Sequence, residues 1–403
     1  MAGKKIVFVN RFFFPDHSAT SQMLSDLAFD LAKSDKAVEV VTSRLRYDDP
    51  AAQLPPFEII DGVSVHRVWT SRFGRGNLVG RAVDYLTFYA TAAWMLWQRT
   101  DANTIVVAKT DPPLISIIAA PIARLRGAKL INWLQDFFPE VASALGIKLM
   151  RWPISNLLQF LRNKTLRMAH MNVVLGKLMA AKVALQGVPL EQIRLIPNWA
   201  DGALIKPIPR EENSLRKLWN LENKFVVGYS GNLGRAHEFN TILDAAEELS
   251  HRQDIVFLFI GGGVQRVALE QEVLNRKLST VLFKPYQPRE QLGESLSAMD
   301  VHLISLNPAL EGLIVPSKFY GIAAVGRPGI FIGSSAGEIP LVLQECNCGV
   351  SVTLGDKATL VNKILEFANN SDLCETLGAN ARLNFIEKYD RDIAVEAFEK
   401  EFA

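Results

Sequence analysis

The segment LEGLIVPSKFYGIAAVGRP, residues 310–328, places a carboxylate and a lysine on either side of a short apolar stretch. Glu311 is near the start of the segment, and Ser317 and Lys318 stand just before a short apolar helix. A cation at a helix N-terminus is unfavourable to the helix dipole. A bound diphosphate would explain why Lys318 is tolerated there, and the alternative is a solvated lysine. We interpret Glu311 and Lys318 as candidate catalytic residues.

Two glycine-rich turns follow apolar strands in the same half of the chain. YSGNLGRAHEF, residues 229–239, carries Gly231, Arg235 and His237, and FIGGGVQ spans residues 259–265. Small residues let backbone N–H groups and a helix N-terminus approach a phosphate. Arg235 and His237 could add charge-assisted hydrogen bonds. Tight turns with nothing bound would explain the same glycines.

In the first half, RFFFPDHSATS (residues 11–21) follows the first predicted strand. It lacks G-x-G-x-x-G, which weakens a dinucleotide-binding interpretation. Ser18 and Thr20 are small enough to let donor phosphates approach, and we group them with His17 on the acceptor side of the site. His17 is either a polar contact or a surface-loop histidine.

Asp136 ends the apolar run KLINWLQD. A carboxylate at the carboxyl end of a strand in a doubly wound sheet faces the ligand crevice. Asp136 is therefore our candidate for orienting the acceptor or the sugar, and the alternative is a capping role before Pro139. Asp111, which precedes two prolines, is a weaker acceptor-side candidate.

Apolar, β-branched runs recur along the chain and alternate with helix-like stretches. Runs that are apolar on both faces fit strands of a parallel sheet covered by helices. The runs are 6–10, 38–42, 63–68, 104–110, 129–136, 171–176 and 194–198, then 225–231, 255–263, 280–286, 301–306, 329–333 and 349–353. A stretch rich in Pro, Gly and charge at 199–214 separates the two sets, and 376–403 is predicted to be helical. This pattern predicts an α/β protein with two doubly wound, Rossmann-like domains and a ligand cleft between them.

Composition fits large buried cores. The chain has 403 residues, of which 49% are hydrophobic and 21% are charged, and this excludes global disorder. The formal net charge of +2 argues neither for nor against nucleic acid, and we expect no nucleic-acid partner. The apolar run at the N-terminus is too short for a signal peptide, and no stretch reaches the length that spans a bilayer. We expect a cytoplasmic protein.

The sequence offers little to hold a metal ion. Cys346, Cys348 and Cys374 are too few for a zinc ribbon, and we interpret them as reduced thiols. Asp–x–Asp occurs once, at residues 390–392, and we assign it to capping of the terminal helix. No metal site or other cofactor is predicted.

Several segments together resemble glycosyltransferase family 4, and within it the bacterial subgroup that makes surface and capsular polysaccharides. The segments that carry the resemblance are NWLQDFFPE (132–140), RLIPNWADG (194–202), YSGNLGRAHEF (229–239), VPSKFYGIAAVGRP (315–328), GEIPLVLQECNCGV (337–350) and FIEKYDRDIAVEAFE (385–399). They follow the expected order along nearly the whole chain.

The resemblance implies the GT-B fold: an acceptor-binding domain at 1–200, a nucleotide-sugar-binding domain at 201–385, and a terminal helix at 386–403 that returns to the first domain. It implies a metal-independent transferase that retains the anomeric configuration. The sequence does not distinguish uridine from guanosine in the donor, and we expect a UDP-sugar in preference to a GDP-sugar. The acceptor would be a saccharide or a polyprenyl-diphosphate-linked sugar, at the inner face of the membrane if it is lipid-linked.

The sequence also departs from the family pattern. The first family Glu, which contacts the transferred sugar, matches Glu311, but the second, which binds the ribose, falls on Gly321. The family Arg and Lys columns fall on Asn232 and His237, so Arg235 is our substitute cation beside Lys318. The other residues assigned to the donor are Gly231, Gly262, Tyr286, Gly312, Leu313, Ile314, Val315 and Ser317.

Basic and aromatic residues mix in two clusters of the first half, a composition that suits an anionic membrane surface. The clusters are Arg72, Phe73, Arg75, Arg81, Tyr85, Phe88, Tyr89, Trp94, Trp97 and Arg99, then Lys148, Arg151, Trp152, Arg162, Lys164 and Arg167. The alternative is a packed helix with a solvated basic face.

Other functions stay open at this point. A nucleotide-sugar epimerase or a phosphorylase can use the same two-domain plan. The missing second Glu leaves room for a catalytically silent sugar-nucleotide-binding scaffold. A nicotinamide-dependent oxidoreductase is disfavoured because neither half carries the dinucleotide fingerprint.

Overall fold

The computed structural model describes residues 4–16, 18–47, 49, 51–74, 78–147 and 153–402. The chain divides into two compact units, Met1–Pro197 with Ala394–Ala403, and Asn198–Ile393. The last residues of the chain thus belong to the first unit from Ala394 onward, and the stretch 199–214 belongs to the second.

The first unit is built on a parallel sheet. Its described strands are β1 Lys5–Val9, β2 Val38–Ser43, β3 Phe57–Ile60, β4 Val63–Val68, β5 Thr104–Lys109, β6 Lys129–Trp133, β7 Met171–Val174 and β8 Ile193–Leu195. Within the described residues the sheet has eight strands, ordered β3-β4-β2-β1-β5-β6-β7-β8. Neighbours are parallel except β3 and β4. The buried, β-branched runs of the sequence form the strands of its centre.

Helices cover this sheet. Those described before Pro197 are α1 Ala19–Lys33, α2 Leu78–Arg99, α3 Ser116–Arg126, α4 Glu140–Ala144, α5 Ile154–Met168 and α6 Lys177–Ala184. One face of the sheet packs Val7 and Val106 against Phe88 of α2 and Ala119 of α3. No helix among the described residues combines the length and the apolar composition that a membrane crossing needs.

The second unit is fully described. Its strands are β9 Phe225–Ser230, β10 Ile255–Ile260, β11 Val281–Lys284, β12 Val301–Ser305, β13 Gly329–Gly333 and β14 Gly349–Thr353. Over residues 198–393 they form a six-stranded parallel sheet in the order β11-β10-β9-β12-β13-β14. The helices that begin in this unit are α7 Ser214–Leu218, α8 Asn240–Glu248, α9 Arg266–Asn275, α10 Leu292–Ser297, α11 Lys318–Ala324, α12 Glu338–Glu345, α13 Lys357–Ala368, α14 Ser371–Asn384 and α15 Arg391–Phe402.

Two elements differ from the sequence prediction. Strand β3 was not predicted because it is a short edge strand whose residues alternate between exposed and half-buried. The stretch 376–403 is not one helix: a π turn at Phe385–Tyr389 separates α14 from α15. Asp390 marks the break, and its Oδ1 accepts hydrogen bonds from the amides of Gly202 (3.1 Å) and Arg391 (2.7 Å). The Asp390 carboxylate bonds the first amide of α15, whereas a capping side chain bonds the second or third, so the capping role of this Asp–x–Asp stays a prediction.

Candidate functional site

Two glycine turns meet at the carboxyl edge of the second sheet. The amide of Gly231, after β9, donates to Ile260 O (2.9 Å), and the amide of Leu233 donates to Gly262 O (2.7 Å). Gly261 and Gly263 have φ values of +135° and +140°. A Cβ at Gly261 would overlap the carbonyl oxygen of Gly231, and one at Gly263 would lie 2.6 Å from Leu233 O. Contact between the two turns thus explains these two glycines without a ligand.

Lys318 begins α11 and turns its ammonium toward the first of these turns. Its Nζ lies 3.2 Å from the centre of the Tyr229 ring, and a Cβ at Gly231 would be 3.7 Å from that nitrogen. The residue as a whole is half-buried, but Nζ is buried and finds no hydrogen-bond partner within the described part of the chain. Burial holds the pKa of Lys318 well below its usual range. An anion bound beside Gly231 would raise the pKa of Lys318 again.

His237 lies next to this lysine, but it is not a cation. Its Nδ1 is 2.5 Å from the carbonyl oxygen of Ser305 at the end of β12, and this contact assigns the ring proton to Nδ1. Burial, and then the charge of Lys318, lower the pKa of His237 to about 3, against the opposing effect of the Ser305 hydrogen bond. In the chain without a ligand His237 is therefore neutral, and its contact with a diphosphate stays a prediction.

Glu311 follows a 3-10 turn at Pro308–Leu310 that Asn307 caps. Its Oε1 is buried and has no hydrogen-bond partner among the described residues. Burial raises the pKa of Glu311 to about 7. A hydrogen bond from the backbone amide of Glu338 lowers this pKa, and the charge of the Glu338 carboxylate raises it further. A Cβ at Gly337 would overlap the Glu311 carboxylate. The absence of a side chain at Gly337 therefore leaves room for the Glu311 carboxylate, a role that sequence analysis missed.

The backbone after Glu311 offers fewer amides to a diphosphate than we expected. The amides of Leu313 and Ile314 both donate to the carbonyl of Leu310, at 3.0 and 3.3 Å. Both amides are engaged within the turn, so they do not offer a diphosphate the contact predicted for 312–315. The sequence of residues 312–315 could not predict these hydrogen bonds, because they depend on the turn that precedes the segment.

The remaining donor-side candidates are distributed around the turns. Arg235, Asn232 and Ser317 are exposed. The Tyr286 hydroxyl lies 3.4 Å from Gly262 O, with much of its ring exposed. Gly321 lies within α11, where a Cβ would be 3.1 Å from Leu296 Cδ1. A side chain at this position, where the family carries its ribose-binding Glu, would only have to displace the end of the Leu296 side chain slightly.

The first unit has its own polar cluster, at the carboxyl ends of β5 and β6. Asp136 lies three residues beyond β6, which ends at Trp133, so the strand predicted over 129–136 is shorter than expected. Burial and the nearby charge of Asp111 raise the pKa of Asp136 to about 6, and Lys109 opposes the shift. The structure thus brings Asp136 and Asp111 together, and it adds Lys109, which sequence analysis did not select.

The other acceptor-side candidates lie near the start of α1. Ser18 precedes the helix, its amide donates to Asp16 Oδ1 at 2.8 Å, and its Oγ is buried without a hydrogen-bond partner among the described residues. Thr20 is half-buried in the first turn of α1. His17 lies outside the described residues.

The basic and aromatic clusters separate into core and surface. Phe88 is fully buried, and Tyr89 donates its hydroxyl to the carbonyl of Pro113. Arg162 is buried and forms a bidentate ion pair with Glu140 (2.7 and 3.1 Å). These three residues are therefore not free to contact a membrane. Arg75, Lys148, Arg151 and Trp152 lie outside the described residues.

Comparisons with known proteins agree with this geometry. A model described as "Glycosyl transferase 4-like domain" matches residues 19–199, and one described as "Glycosyl transferases group 1" matches residues 211–384. The chain is 26% identical to a probable glycosyltransferase, WbjE, of Pseudomonas aeruginosa over 81% of each protein. It is 25% identical to the putative colanic acid biosynthesis glycosyl transferase WcaI of Escherichia coli over 54% of each.

Solved structures share the architecture. The crystal structure of HepE from Anabaena in complex with UDP superposes with a TM-score of 0.74 at 16% sequence identity, and the match covers 98% of this chain and 99% of that one. At this identity the likeness establishes the fold.

Proposed function

Because the chain belongs to the GT4-type glycosyltransferases of polysaccharide biosynthesis and has their GT-B fold, we propose that it moves a sugar from a nucleoside diphosphate donor to a saccharide or polyprenyl-diphosphate-linked acceptor, with retention of anomeric configuration. The observation that carries this proposal is the buried Lys318 ammonium, which lies beside Gly231 without a hydrogen-bond partner in the described chain. A donor diphosphate would supply the anionic partner that the described part of the chain does not.

The reaction breaks the bond between the anomeric carbon and the donor phosphate. Negative charge develops on the departing diphosphate, and Lys318, with the exposed Arg235, stabilises it through pre-organised electrostatics. Glu311 accepts a hydrogen bond from the transferred sugar. The acceptor hydroxyl attacks on the face that the diphosphate leaves, a donor phosphate oxygen takes the hydroxyl proton, and the new glycosidic bond keeps the configuration. Neither a protein nucleophile nor a divalent metal ion is required, because side-chain cations balance the diphosphate.

UDP is the proposed nucleotide in preference to GDP. The HepE structure, which shares the fold, is a complex with UDP, and this supports the choice. On the acceptor side, Asp136 orients the attacking hydroxyl, with Asp111 beside it. With glycine at position 321, the ribose contact comes from another group.

Product analysis tests this function. The full chain is incubated with UDP-α-sugars, with Mg²⁺ or with EDTA, and with and without a polyprenyl-diphosphate-linked sugar, and the reaction is followed by proton NMR. We expect UDP release that depends on the acceptor, persists in EDTA and gives an α-linked product. A β-linked product would refute retention, and loss in EDTA would refute metal independence. Isomerised donor without acceptor would indicate an epimerase, and no turnover of any donor would indicate a scaffold.

We also propose that α2 rests on an anionic membrane surface, which would place the enzyme beside a lipid-linked acceptor. Leu86, Trp94 and Trp97 lie on one stripe of this helix and are 64%, 65% and 41% exposed. The Arg126 guanidinium lies 5.2 Å from the centre of the Trp97 ring, and Arg124 is exposed on the same helix, α3. Exposed tryptophans beside arginines match an anionic bilayer surface, because the rings enter the interface while the cations meet phosphates.

Flotation with phosphatidylglycerol vesicles tests the membrane contact. We expect the protein to float with these vesicles at low salt, to float less at high salt, and to lose binding in Trp94→Ser/Trp97→Ser. Leu185→Ser, which removes an exposed leucine of the first unit outside α2, serves as the matched control and should float like the wild type. Absence of flotation at every salt concentration would exclude the contact.

A further inference from the structure

Arg11 is a buried arginine that the transfer mechanism does not use. It lies two residues beyond the end of β1 and is 8% exposed, and its Nε is buried without a hydrogen-bond partner among the described residues. A guanidinium carries five N–H donors. Burying such a group is costly unless hydrogen bonds and an opposite charge compensate it. The Arg11 side chain therefore has donors to offer an anionic ligand.

Asp84 of α2 lies beside this guanidinium but does not complete its hydrogen bonds. The Asp84 Oδ2 is 3.7 Å from Nη2 of Arg11, beyond hydrogen-bond distance. The Asp84 carboxylate is itself buried, and it accepts hydrogen bonds from Ser71 Oγ (2.6 Å) and from the amides of Phe73 and Gly74 (3.0 Å each). Asp84 thus has hydrogen-bond partners without Arg11, and it leaves donors of Arg11 for another anion.

A second arginine shares an aromatic ring with Arg11. The Arg11 guanidinium lies 5.1 Å from the centre of the Tyr85 ring, and the guanidinium of the exposed Arg81 lies 5.4 Å from the same centre. Arg81 Nε also donates to the Tyr85 hydroxyl at 2.9 Å, and the centre of the Phe12 ring is 5.2 Å from Arg11. Cation–π contacts hold both guanidinium groups around one ring. Because like charges repel, an anion bound by both arginines would be stabilised there.

Arg11 also lies where ligands bind in sheets of this kind. The chain adds β2 to β4 on one side of β1 and β5 to β8 on the other. Arg11 follows β1 and Asp111 follows β5, and the Arg11 amide donates to the Asp111 carbonyl oxygen at 2.5 Å. In an open α/β sheet the ligand crevice lies outside the carboxyl ends of the strands, at the point where the strand order reverses. The Arg11 cation therefore lies at the edge where we assign Asp111 to the acceptor.

We propose that Arg11, with Arg81 beside it, binds the phosphate groups of the acceptor and so selects a diphosphate-linked acceptor over a neutral saccharide. This inference rests on the proposed transfer reaction and narrows the acceptor that the reaction leaves open. A guanidinium forms paired hydrogen bonds with phosphate oxygens, whereas a neutral saccharide offers it no charge. Arg81 lies on α2, the helix that we place on the membrane surface, which suits the diphosphate of a lipid-linked sugar.

Two acceptors that differ in charge test this selection. Steady-state transfer is compared for one sugar linked to farnesyl diphosphate and for the same sugar as a neutral farnesyl glycoside. In Arg11→Met we expect kcat/KM to fall by about 10- to 150-fold for the diphosphate-linked acceptor and to stay within about twofold for the neutral one. Arg11→Lys keeps the charge and should recover part of the loss. An equal fall for both acceptors, or equal kcat/KM for both in the wild type, would overturn the proposal.

A matched variant controls for the loss of charge alone. Lys33 is exposed at the end of α1 in the same unit and pairs with Asp30 at 3.2 Å. Lys33→Met should transfer to both acceptors like the wild type. A loss in Lys33→Met as large as that in Arg11→Met would show that net charge, and not the Arg11 contact, selects the acceptor.

A binding measurement separates this site from the transfer reaction. Calorimetry follows geranyl diphosphate binding to the full chain with UDP in excess, so that the donor site is filled, and geraniol is the uncharged reference. We expect Arg11→Met, and Arg11→Gln if the methionine variant does not fold, to bind geranyl diphosphate at least about tenfold more weakly, whether or not transfer is detected. Binding that does not depend on Arg11 would refute this site and leave the transfer reaction untouched.

The donor carries a diphosphate as well, and UDP titration distinguishes the two sources. We expect UDP affinity to stay within about twofold of the wild type in Arg11→Met. A loss of UDP affinity as large as the loss for geranyl diphosphate would assign Arg11 to the donor and contradict the proposal.

Discussion

Glu311→Gln is expected to lower kcat/KM for transfer by about 10- to 150-fold while leaving UDP affinity within about twofold. Above its pKa of about 7 Glu311 is a charged acceptor for a sugar hydroxyl, and a hydrogen bond to a charged group contributes about 1.5–3 kcal/mol that the neutral amide does not supply in full. The measurement is steady-state transfer alongside calorimetric titration of UDP. Glu366→Gln, which changes an exposed glutamate of α13, is the matched control and should be fully active.

The same substitution should stabilise the protein above pH 7. The unfolded Glu311 carboxyl ionises near pH 4.5, whereas the folded one keeps its proton to about 7, so stability falls as pH rises between those values. Glutamine removes this loss, and the melting temperature of Glu311→Gln should exceed that of the wild type at pH 8. A variant that is both less active and less stable would point to a structural role instead.

Gly337→Ala gives an independent test of the same carboxylate. Gly337 has φ −75° and ψ 167°, which alanine adopts without strain, but its Cβ would overlap the Glu311 carboxylate. Displacing the carboxylate should lower transfer as Glu311→Gln does. Full activity in both variants would exclude Glu311 from the reaction.

Lys318→Met is expected to weaken UDP binding by about 10- to 150-fold, because it removes a charge-assisted contact to the diphosphate. Without nucleotide the variant should melt at a higher temperature than the wild type. Burial lowers the pKa of Lys318 in the folded protein below its value in the unfolded chain. At neutral pH the unfolded chain therefore binds the proton more readily, and the lysine lowers the free energy of unfolding. Methionine fills similar space without that cost.

A matched lysine controls for charge alone. Lys357 is exposed on α13 of the same unit and pairs with Glu248 at 3.3 Å. Lys357→Met removes one positive charge from an exposed position and should leave UDP affinity unchanged. Equal losses in both lysine variants would mean that net charge, and not the Lys318 contact, sets the affinity.

The sequence predicted the secondary structure and the fold of this protein well. Its β-branched runs predicted every strand of the second sheet and all but β3 of the described first sheet, and the predicted GT-B fold is confirmed. These elements follow from local periodicity, which a single sequence displays. Strand β3 and the break at Asp390 depend on an edge pairing and on a contact with Gly202, so periodicity could not reveal them.

The site was predicted in part, for a similar reason. Glu311 and Lys318 stand in a short segment with recognisable spacing, and the structure finds both with a buried, unpaired polar atom in the described chain. Gly337 and Arg11 were missed because their importance comes from residues distant in sequence. The neutral state of His237 likewise depends on Ser305, 68 residues away. The exposed Arg235 stays a prediction, since its role depends on a ligand.

Calorimetric titration of UDP into the wild type and Lys318→Met, side by side in EDTA, tests the central claim most directly. We predict that the wild type binds UDP without a metal ion and that Lys318→Met, folded and more thermostable, binds it at least about tenfold more weakly. Equal UDP affinity in the two proteins would show that the diphosphate does not lie on this ammonium. Absence of binding to the wild type by UDP, and by GDP, ADP and dTDP in the same experiment, would contradict the donor site as a whole.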